Sequence, residues 1–258
     1  MLIVERNREY SRRGPVIDLH CHILPALDDG AIDLDDSVAM ARQAEADGIE
    51  IVCATPHIRS DHDVQVDELE GRIAAVNAEL ERQGVAVRIA HGGEVADEAL
   101  EDVSDDKLRC VSLGKSGVWL LVEPRPGPIT GDLIDSVEML AGRGFLCVIA
   151  HPERHAGADF RERLEALVER GALIQVTAKL IADGPASPVL LDLAGHGLVH
   201  LLGSDAHSAR AGRPVRLSEG LARLAEVDCV KPHLDWVANA GPRAILAGEK
   251  ITPPFLPC

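Results

Sequence analysis

The chain has 258 residues, of which 46% are hydrophobic and 26% are charged, a balance typical of a globular protein with an ordinary core. Its formal net charge of −16 argues against nucleic acid or an anionic membrane as a partner, because no basic stripe is present to neutralise phosphates. No apolar run approaches the ~20 residues that span a bilayer, and the first residues lack the apolar region of a signal peptide, so we expect no membrane insertion and a cytoplasmic location.

Short apolar runs alternate along the chain with segments whose apolar residues recur at helical spacing. The runs are nearly continuous and β-branched, as expected of strands buried on both faces of a parallel sheet. The seven predicted strands are Val16–His20, Ile49–Thr55, Val87–Ala90, Val118–Val122, Phe145–Ala150, Leu173–Val176 and Leu198–Gly203. The predicted helices are Leu34–Asp47, Val66–Arg82, Ile129–Ala141, Phe160–Arg170, Val189–Ala194, Leu217–Ala225 and His233–Asn239. The alternation predicts an α/β fold of βαβ units, either an open doubly wound sheet or a barrel of seven or eight strands.

Potential metal ligands follow six of the seven predicted strands. In chain order they are Asp18, His20, His22, Asp28 and Asp29, then His57, Glu94, Glu123 and His151, and finally Asp205 and His207. In a (β/α) barrel the carboxyl ends of all strands meet at one rim, whereas in an open sheet they are spread along a line. A single histidine after a strand is usually structural, but six strand ends with the same chemistry favour one shared site, and therefore the barrel.

The residue types at these strand ends suit divalent metals. Imidazole and carboxylate ligands are typical of zinc, manganese and iron sites, and the absence of cysteine among them argues against a structural zinc. Glu94 or Glu123 could bridge two ions through its two oxygens. Hydroxide held between such ions is a nucleophile near neutral pH, and the ions neutralise a phosphoryl oxygen. Bound metals would also explain how an acidic protein holds an anionic substrate.

The stretch Asp18–Gly30, DLHCHILPALDDG, and the later motifs resemble the PHP (polymerase and histidinol phosphatase) superfamily. They are most similar to its bacterial protein-tyrosine phosphatase branch, which dephosphorylates tyrosine kinases controlling capsular and exopolysaccharide synthesis. The resemblance covers Val16 to Ile251. It implies a single-domain, distorted (β/α)7 TIM-like barrel over residues 15–251 with about two to three divalent ions, namely manganese, iron or zinc. Residues 1–14 and 252–258 are expected to be flexible extensions.

The resemblance also implies roles for individual residues. Nine would be metal ligands: His20, His22, Asp29, His57, Glu94, Glu123, His151, Asp205 and His207. Glu94 would bridge ions, and Asp18 would lie behind the ligands and orient an imidazole. Arg154 and Arg213 match arginines that grip phosphate, and His207 is a further candidate as a proton donor. The implied reaction is attack of a metal-bridged hydroxide on phosphotyrosine in the tail of a bacterial tyrosine kinase.

Several alternatives stay open at the level of sequence. Ile58 stands where many relatives have a second histidine, so a small-molecule phosphatase such as histidinol phosphatase is an alternative on the same scaffold. An amidohydrolase-type metalloenzyme and a non-catalytic metal-binding domain rank lower. An amidohydrolase is expected to have a lone aspartate after its last strand, where this chain has Asp-x-His, and a non-catalytic domain is expected to lose ligands.

The cysteines offer a competing interpretation. All six lack a CxxC pair or regular spacing and are predicted to be reduced thiols. Cys53 and Arg59 match the C-x5-R signature of cysteine-dependent tyrosine phosphatases, whose phosphate loop needs backbone N–H groups at a helix N-terminus. Pro56 within the motif has no N–H, and Cys53 lies inside a predicted apolar strand. We therefore interpret the match as a chance occurrence.

Overall fold

The structure, a computed structural model, describes residues 14–258. The predicted N-terminal extension therefore falls almost entirely outside the described residues. The strands are β1 (Val16–Cys21), β2 (Ile49–Ala54), β3 (His57–Ile58), β4 (Arg88–Ala90), β5 (Glu94–Ala96), β6 (Trp119–Glu123), β7 (Leu146–Ala150), β8 (Leu173–Thr177) and β9 (Leu201–Gly203). All seven predicted strands are confirmed, with ends that differ by a few residues.

The helices follow the predicted alternation with the strands. They are α1 (Leu34–Asp47), α2 (Leu69–Arg82), α3 (Asp105–Val111), α4 (Gly131–Gly142), α5 (Phe160–Glu169), α6 (Ala178–Ala182), α7 (Ser187–Gly195), α8 (Ser218–Leu224) and α9 (Gly241–Leu246). The short helices α3 and α6 were not predicted, because each buries only two residues and so shows no helical repeat. The predicted helix His233–Asn239 is a π-helical segment, Trp236–Ala240, that leads into α9. Within residues 14–258, no helix has both the length and the apolar character needed to cross a bilayer.

Helix α1 shows why the sequence folds in this way next to the first ligands. The side chain of Asp33 accepts a hydrogen bond from the backbone N–H of Asp36 and caps the N-terminus. Gly48 ends the helix in the left-handed conformation, with φ of +85°. These two caps fix both ends of the connection between β1 and β2, so the loop that carries Asp29 is anchored to the start of a regular helix.

Every strand pairing is parallel, and the strands form two sheets with the orders β1-β2-β4 and β3-β5-β6-β7-β8-β9. β3 continues the path of β2 and β5 continues that of β4, so the nine strands of residues 14–258 occupy seven positions. The break between β2 and β3 falls at Pro56, which has no N–H to donate to a ladder. Cys21 forms a parallel bridge with Ala206, just after β9, which brings the first strand position beside the last. The arrangement confirms a single-domain α/β fold of the distorted barrel type.

Strand residues alternate between an inner cluster and an outer layer that packs on the helices. In β6, Trp119 and Leu121 belong to the inner cluster, whereas Leu120 and Val122 belong to the outer layer. In β1, Leu19 also packs in the inner cluster. The register of β1 shifts between Asp18 and Cys21, and such irregularities re-aim side chains. His20, the residue after Leu19, therefore also points into the barrel, toward its carboxyl end.

The C-terminal tail packs against the barrel. Phe255 is buried, and its ring centroid lies 5.7 Å from that of Trp236. Cys258 forms a disulfide with Cys229, and its backbone N–H donates to the Gly195 carbonyl. The expectation of six reduced cysteines is therefore wrong for Cys229 and Cys258, whereas the flexibility of residues 252–258 stays a prediction. The two cysteines are separated by 29 residues along the chain, so only the tertiary packing around Phe255 brings them together.

A buried histidine below the site predicts acid sensitivity. His200 Nδ1 accepts a hydrogen bond from the Ile174 N–H, and burial lowers the pKa of His200 to about 4. In the unfolded chain the histidine pKa is about 6.5. At a pH between the folded and unfolded pKa values, the unfolded state binds a proton that the folded state does not, so acid favours unfolding. We expect the metal-free protein to lose about 2 kcal/mol of unfolding free energy through His200 between pH 7 and pH 5. Urea denaturation at both pH values would measure the loss, and His200→Gln should show a correspondingly smaller one. Equal losses in both proteins would contradict this assignment.

Candidate active site

The structure brings together all nine residues predicted as metal ligands. Four groups of their donor atoms, each group within 4.8 Å, could each hold an ion, and the groups share members. The groups are His22, Asp29, His57 and His207; His20, His22 and Glu94; His20, His151 and Asp205; and His57, Glu94 and Glu123. The side chains come from six strand ends, as expected for parallel strands that meet at one rim.

Glu94, at the start of β5, lies at the centre of the cluster and is fully buried. Its Oε1 lies 2.9 Å from His151 Nε2 and 3.4 Å from His20 Nε2. Its Oε2 lies 3.3 Å from His22 Nε2 and 3.2 Å from His57 Nδ1. Each carboxylate oxygen therefore faces a different pair of imidazoles, which is the geometry of a bridging ligand. Burial alone would raise the pKa of Glu94, but the surrounding imidazoles hold it well below its usual range.

The two histidines of the His-x-His motif have different partners behind them. His22 Nδ1 lies 2.8 Å from Asp28 Oδ2, and that carboxylate also accepts from the backbone N–H groups of His57 and Gly30. His20 Nδ1 lies 3.0 Å from Gln175 Oε1. Both imidazoles consequently present Nε2 to the cluster, since a side chain that occupies Nδ1 fixes the orientation of the ring.

Asp18 is fully buried beside the cluster, but its carboxylate does not contact an imidazole. Its Oδ1 accepts hydrogen bonds from the backbone N–H groups of His20 and Ser204, each at 3.1 Å. Asp18 therefore joins the end of β1 to the segment after β9, and the predicted role of orienting an imidazole belongs by geometry to Asp28 and Gln175. The sequence offered one weak signal for Asp28, its position in Asp28–Asp29–Gly30, and none for Gln175.

Two of the candidate ligands have a left-handed backbone. His151 has φ of +31° and directly follows β7. Asp205 has φ of +50° and lies two residues after the end of β9. Non-glycine residues rarely adopt such conformations, which cost on the order of 1–3 kcal/mol each and cluster at functional sites. The sharp turns direct both side chains back over the barrel opening, where they meet Glu94 and His20.

An open cavity of about 440 Å³ lies above the cluster. Its lining residues are Asp29, His57, Arg59, Glu123, His151, Arg154, Asp205, His207, Gly212 and Arg213. The volume lies within the ~300–1,000 Å³ range of small-ligand sites. Three guanidinium groups in the wall supply positive charge to a protein whose net charge is −16.

The predicted arginines Arg154 and Arg213 converge on one carboxylate. Arg154 Nη2 and Arg213 Nη2 both contact Asp205 Oδ2, the latter at 3.0 Å, and Arg213 Nε donates to the Asp205 carbonyl at 2.8 Å. Arg59, the arginine of the C-x5-R match, also lines the cavity, and its Nη1 lies 3.4 Å from Glu123 Oε2. All three guanidinium groups therefore lie at the boundary between the cluster and the cavity.

The histidines of the cluster differ in the direction in which their pKa values are shifted. Burial lowers the pKa of His22, but hydrogen bonds to Asp28 and Glu94 outweigh it and raise the pKa to about 10. Burial and the neighbouring charge of His22 lower the pKa of His57 to about 4. Burial also lowers the pKa of His207, whose Nε2 lies 3.4 Å from Asp29 Oδ1. At neutral pH the imidazoles of His57 and His207 are therefore neutral, the state that binds a metal ion.

The donor set fits divalent cations. Two buried atoms facing the cluster centre, His57 Nδ1 and Asp205 Oδ1, have no hydrogen-bond partner within residues 14–258. Buried polar atoms are normally paired, because an unpaired one costs about 1–3 kcal/mol. Nitrogen and carboxylate oxygen donors that converge in this way are suited to manganese, iron or zinc.

Two residues close to the cluster, Cys53 and His62, do not belong to the donor set. Cys53 is fully buried, its Sγ donates to the His91 carbonyl at 3.0 Å, and burial raises its pKa to about 12. A nucleophilic cysteine needs the opposite environment. His62 stacks on the ligand candidate His57, with ring centroids 5.2 Å apart, and so supports the ring from outside the cluster.

Comparison with known sequences agrees with this geometry. A sequence model of the family described as capsular polysaccharide synthesis, CpsB/CapC, matches residues 16–230. The chain is 32% identical over 207 residues to the tyrosine-protein phosphatase YwqE of Bacillus subtilis, which covers 76% of this chain and 78% of YwqE. It is 25% identical over 219 residues to the tyrosine-protein phosphatase CpsB of Streptococcus agalactiae, which covers 79% of this chain and 87% of CpsB.

Comparison with solved structures also finds similarity to tyrosine phosphatases of this kind. A structure from crystallographic work on YwqE from Bacillus subtilis and CpsB from Streptococcus pneumoniae, described as unique metal-dependent tyrosine phosphatases, matches with a TM-score of 0.78 and 28% identity. The match covers 94% of this chain and 99% of that chain. A mutant organophosphorus hydrolase from Deinococcus radiodurans, with a TM-score of 0.57 and 13% identity, shares the fold alone. The family match spans most of the described residues, and the chain therefore belongs to the CpsB/CapC family of capsular polysaccharide synthesis proteins.

Proposed function

We propose that this protein is a metal-dependent protein-tyrosine phosphatase. The single observation that carries the proposal is that eight other candidate ligands surround the buried Glu94 and that the cluster opens into a cavity walled by three arginines. The names of the YwqE and CpsB relatives point to the same activity. A cluster of this donor type beside cationic side chains is suited to an anionic ester, because both stabilise the charge of the phosphoryl group.

The nine side chains are proposed to hold two to three divalent ions, manganese, iron or zinc, with Glu94 as the bridging ligand. When bound, such ions lower the pKa of water and neutralise phosphoryl oxygens. Asp28 and Gln175 hold the His-x-His imidazoles with Nε2 toward the centre of the cluster, where these atoms would serve as metal ligands. Arg154 and Arg213 are proposed to bind the phosphoryl oxygens through paired N–H donors, a task for which the planar guanidinium group is well suited.

The leaving group favours phosphotyrosine over alkyl phosphates. The phenol of tyrosine has a pKa near 10, so its anion departs with little help from an acid. Burial lowers the pKa of His207, which leaves this residue largely neutral at pH 7. A role of His207 as metal ligand therefore fits its environment better than a role as proton donor, and a phenolate leaving group does not require a strong donor.

We further infer that the natural substrate is a phosphotyrosine-bearing tail of a bacterial tyrosine kinase that controls capsular or exopolysaccharide synthesis. The family description and the open cavity support a protein segment as substrate. Phosphorylation by such kinases uses ATP, which is why we propose a cytoplasmic location.

Paired substrates test the proposed function. We expect kcat/KM for a phosphotyrosine peptide to exceed that for histidinol phosphate by at least about tenfold, which corresponds to ~1.4 kcal/mol in the barrier. Purified protein loaded with manganese would be assayed with both substrates by release of phosphate. A preference for histidinol phosphate would instead identify a small-molecule phosphatase on the same scaffold.

A further inference from the structure

A neutral amide and a carboxylate support the two histidines of one motif. Asp28 supports His22, whereas Gln175 supports His20. Gln175 is 1% exposed and lies on β8, 155 residues after His20. The contact therefore depends on the fold of the whole barrel, and nothing in the local sequence requires it.

The orientation of His20 determines which ring nitrogen faces the metal cluster. His20 Nε2 lies 3.4 Å from Glu94 Oε1 and 3.7 Å from Asp205 Oδ1, so this atom points into the cluster. The opposite nitrogen, Nδ1, lies 3.0 Å from Gln175 Oε1. An amide oxygen can only accept a hydrogen bond, so it selects the tautomer with a proton on Nδ1. That tautomer leaves the lone pair of Nε2 free for an ion.

The packing around Gln175 and His20 leaves room for the contact between them only because residue 203 is a glycine. A Cβ atom at Gly203, on the neighbouring strand β9, would lie 2.7 Å from Gln175 Oε1 and 2.8 Å from the His20 Cβ. Both distances are shorter than van der Waals contact, so any larger residue at position 203 would displace one of the two side chains. The absence of a side chain at Gly203 therefore preserves the space in which Gln175 reaches His20.

Gln175 is not the residue that folding stability alone would favour. Its Nε2 is buried and has no hydrogen-bond partner within residues 14–258. A buried donor without a partner costs free energy of folding, and an apolar side chain of similar size would avoid the cost. The presence of an amide here is therefore better explained by its oxygen, which is the atom that contacts His20.

We infer that Gln175 is a positioning residue that fixes the tautomer of His20 for metal binding without adding a negative charge. The inference rests on the proposed metal-binding role of the cluster. Asp28 fulfils the same task for His22 with a carboxylate, which makes an imidazole a stronger donor. The two histidines of the motif thus enter the cluster with different donor strengths, and the difference is set by their partners.

Metal titration of substituted proteins tests the inference. Metal-free protein would be titrated with Mn²⁺ by calorimetry at fixed pH. We expect Gln175→Leu to weaken Mn²⁺ binding by about 10–100-fold, the usual effect of losing a partner behind a ligand. Gln175→Glu should bind Mn²⁺ at least as tightly as the wild type, because its carboxylate still accepts from Nδ1.

Thr177→Val is the matched control. It lies two residues further along the same strand, is equally buried and has a hydroxyl without a partner within residues 14–258, so Mn²⁺ binding should be unchanged.

Nitrogen NMR of the histidine rings reports which ring nitrogen of His20 carries the proton. It therefore distinguishes a role of Gln175 in fixing the tautomer from a role in packing alone. In metal-free wild-type protein, His20 should carry its proton on Nδ1, and in Gln175→Leu the proton should move toward Nε2, where Glu94 can accept it. An unchanged tautomer together with unchanged Mn²⁺ affinity in Gln175→Leu would overturn the inference. Equal weakening in Gln175→Glu and Gln175→Leu would overturn it as well, since only side-chain shape would then matter. Neither the Mn²⁺ affinity nor the tautomer is measured through catalysis, so both decide the inference whether or not the protein hydrolyses phosphotyrosine.

Discussion

Chelation of divalent ions should abolish hydrolysis of a phosphotyrosine peptide, whereas Cys53→Ser should retain most of the activity. Charge stabilisation by metal ions contributes several kcal/mol to a transition state, and each 1.4 kcal/mol is tenfold in rate, so we expect a loss of more than about 10³-fold. Cys53 is buried beside the His91 carbonyl, and its thiol pKa is raised to about 12, so it has no route to substrate. Initial rates before and after dialysis against a chelator would measure the effect.

Two controls make the result specific. Re-addition of manganese should restore the rate of the chelated protein, which excludes irreversible unfolding. His151→Ala removes a ligand candidate that lies 2.9 Å from Glu94 and should lower activity even when manganese is present. A protein that resists chelation but loses activity in Cys53→Ser would instead use the C-x5-R chemistry, and the proposed mechanism would be wrong.

Substitution of the cavity arginines should give the second large effect. We expect Arg154→Ala and Arg213→Ala each to lower kcat/KM by about 10²–10³-fold, the loss typical of a donor that stabilises transition-state charge. Lysine at either position should recover only part of the rate, because it cannot donate two parallel hydrogen bonds to phosphate oxygens. Steady-state assays with phosphotyrosine peptide would be combined with inhibition by inorganic phosphate, which should weaken in both alanine variants.

Arg210→Ala is the matched control for Arg213. Arg210 lies on the same loop, is exposed and pairs with Asp33, but it does not line the cavity. Exposed ion pairs of this kind contribute little, so activity should stay within about twofold of the wild type. Unchanged phosphate inhibition in Arg154→Ala and Arg213→Ala would show that these residues only hold Asp205 in place.

The predictions for chelation and for the cavity arginines both concern positive charge at the cavity. The chain carries a net charge of −16, yet its proposed substrate is an anion. Burial lowers the pKa values of Arg154 and Arg213, and both side chains remain cationic at neutral pH because guanidinium groups stay protonated in proteins. Together with the divalent ions that the cluster is proposed to hold, they would make the cavity locally positive, while the remaining surface stays acidic. Anionic substrates would therefore be attracted to one place on the molecule.

The sequence by itself determined the strands and the residues that follow them. Each parallel strand is buried on both faces, so it appears as an apolar run, and the polar residue at its end stands out. His57, Glu94 and His151 were predictable for this reason, and their convergence followed from the rule that parallel strands in a barrel share one rim.

Only the tertiary structure decided the contacts between distant segments. Asp28 and Asp29 are adjacent and chemically identical, and the turn alone places one behind His22 and the other at the cavity. Gln175 meets His20 across 155 residues, and Cys258 meets Cys229 because Phe255 packs the tail against the barrel. Such pairings depend on side-chain packing in three dimensions, which periodicity and spacing along the chain do not encode.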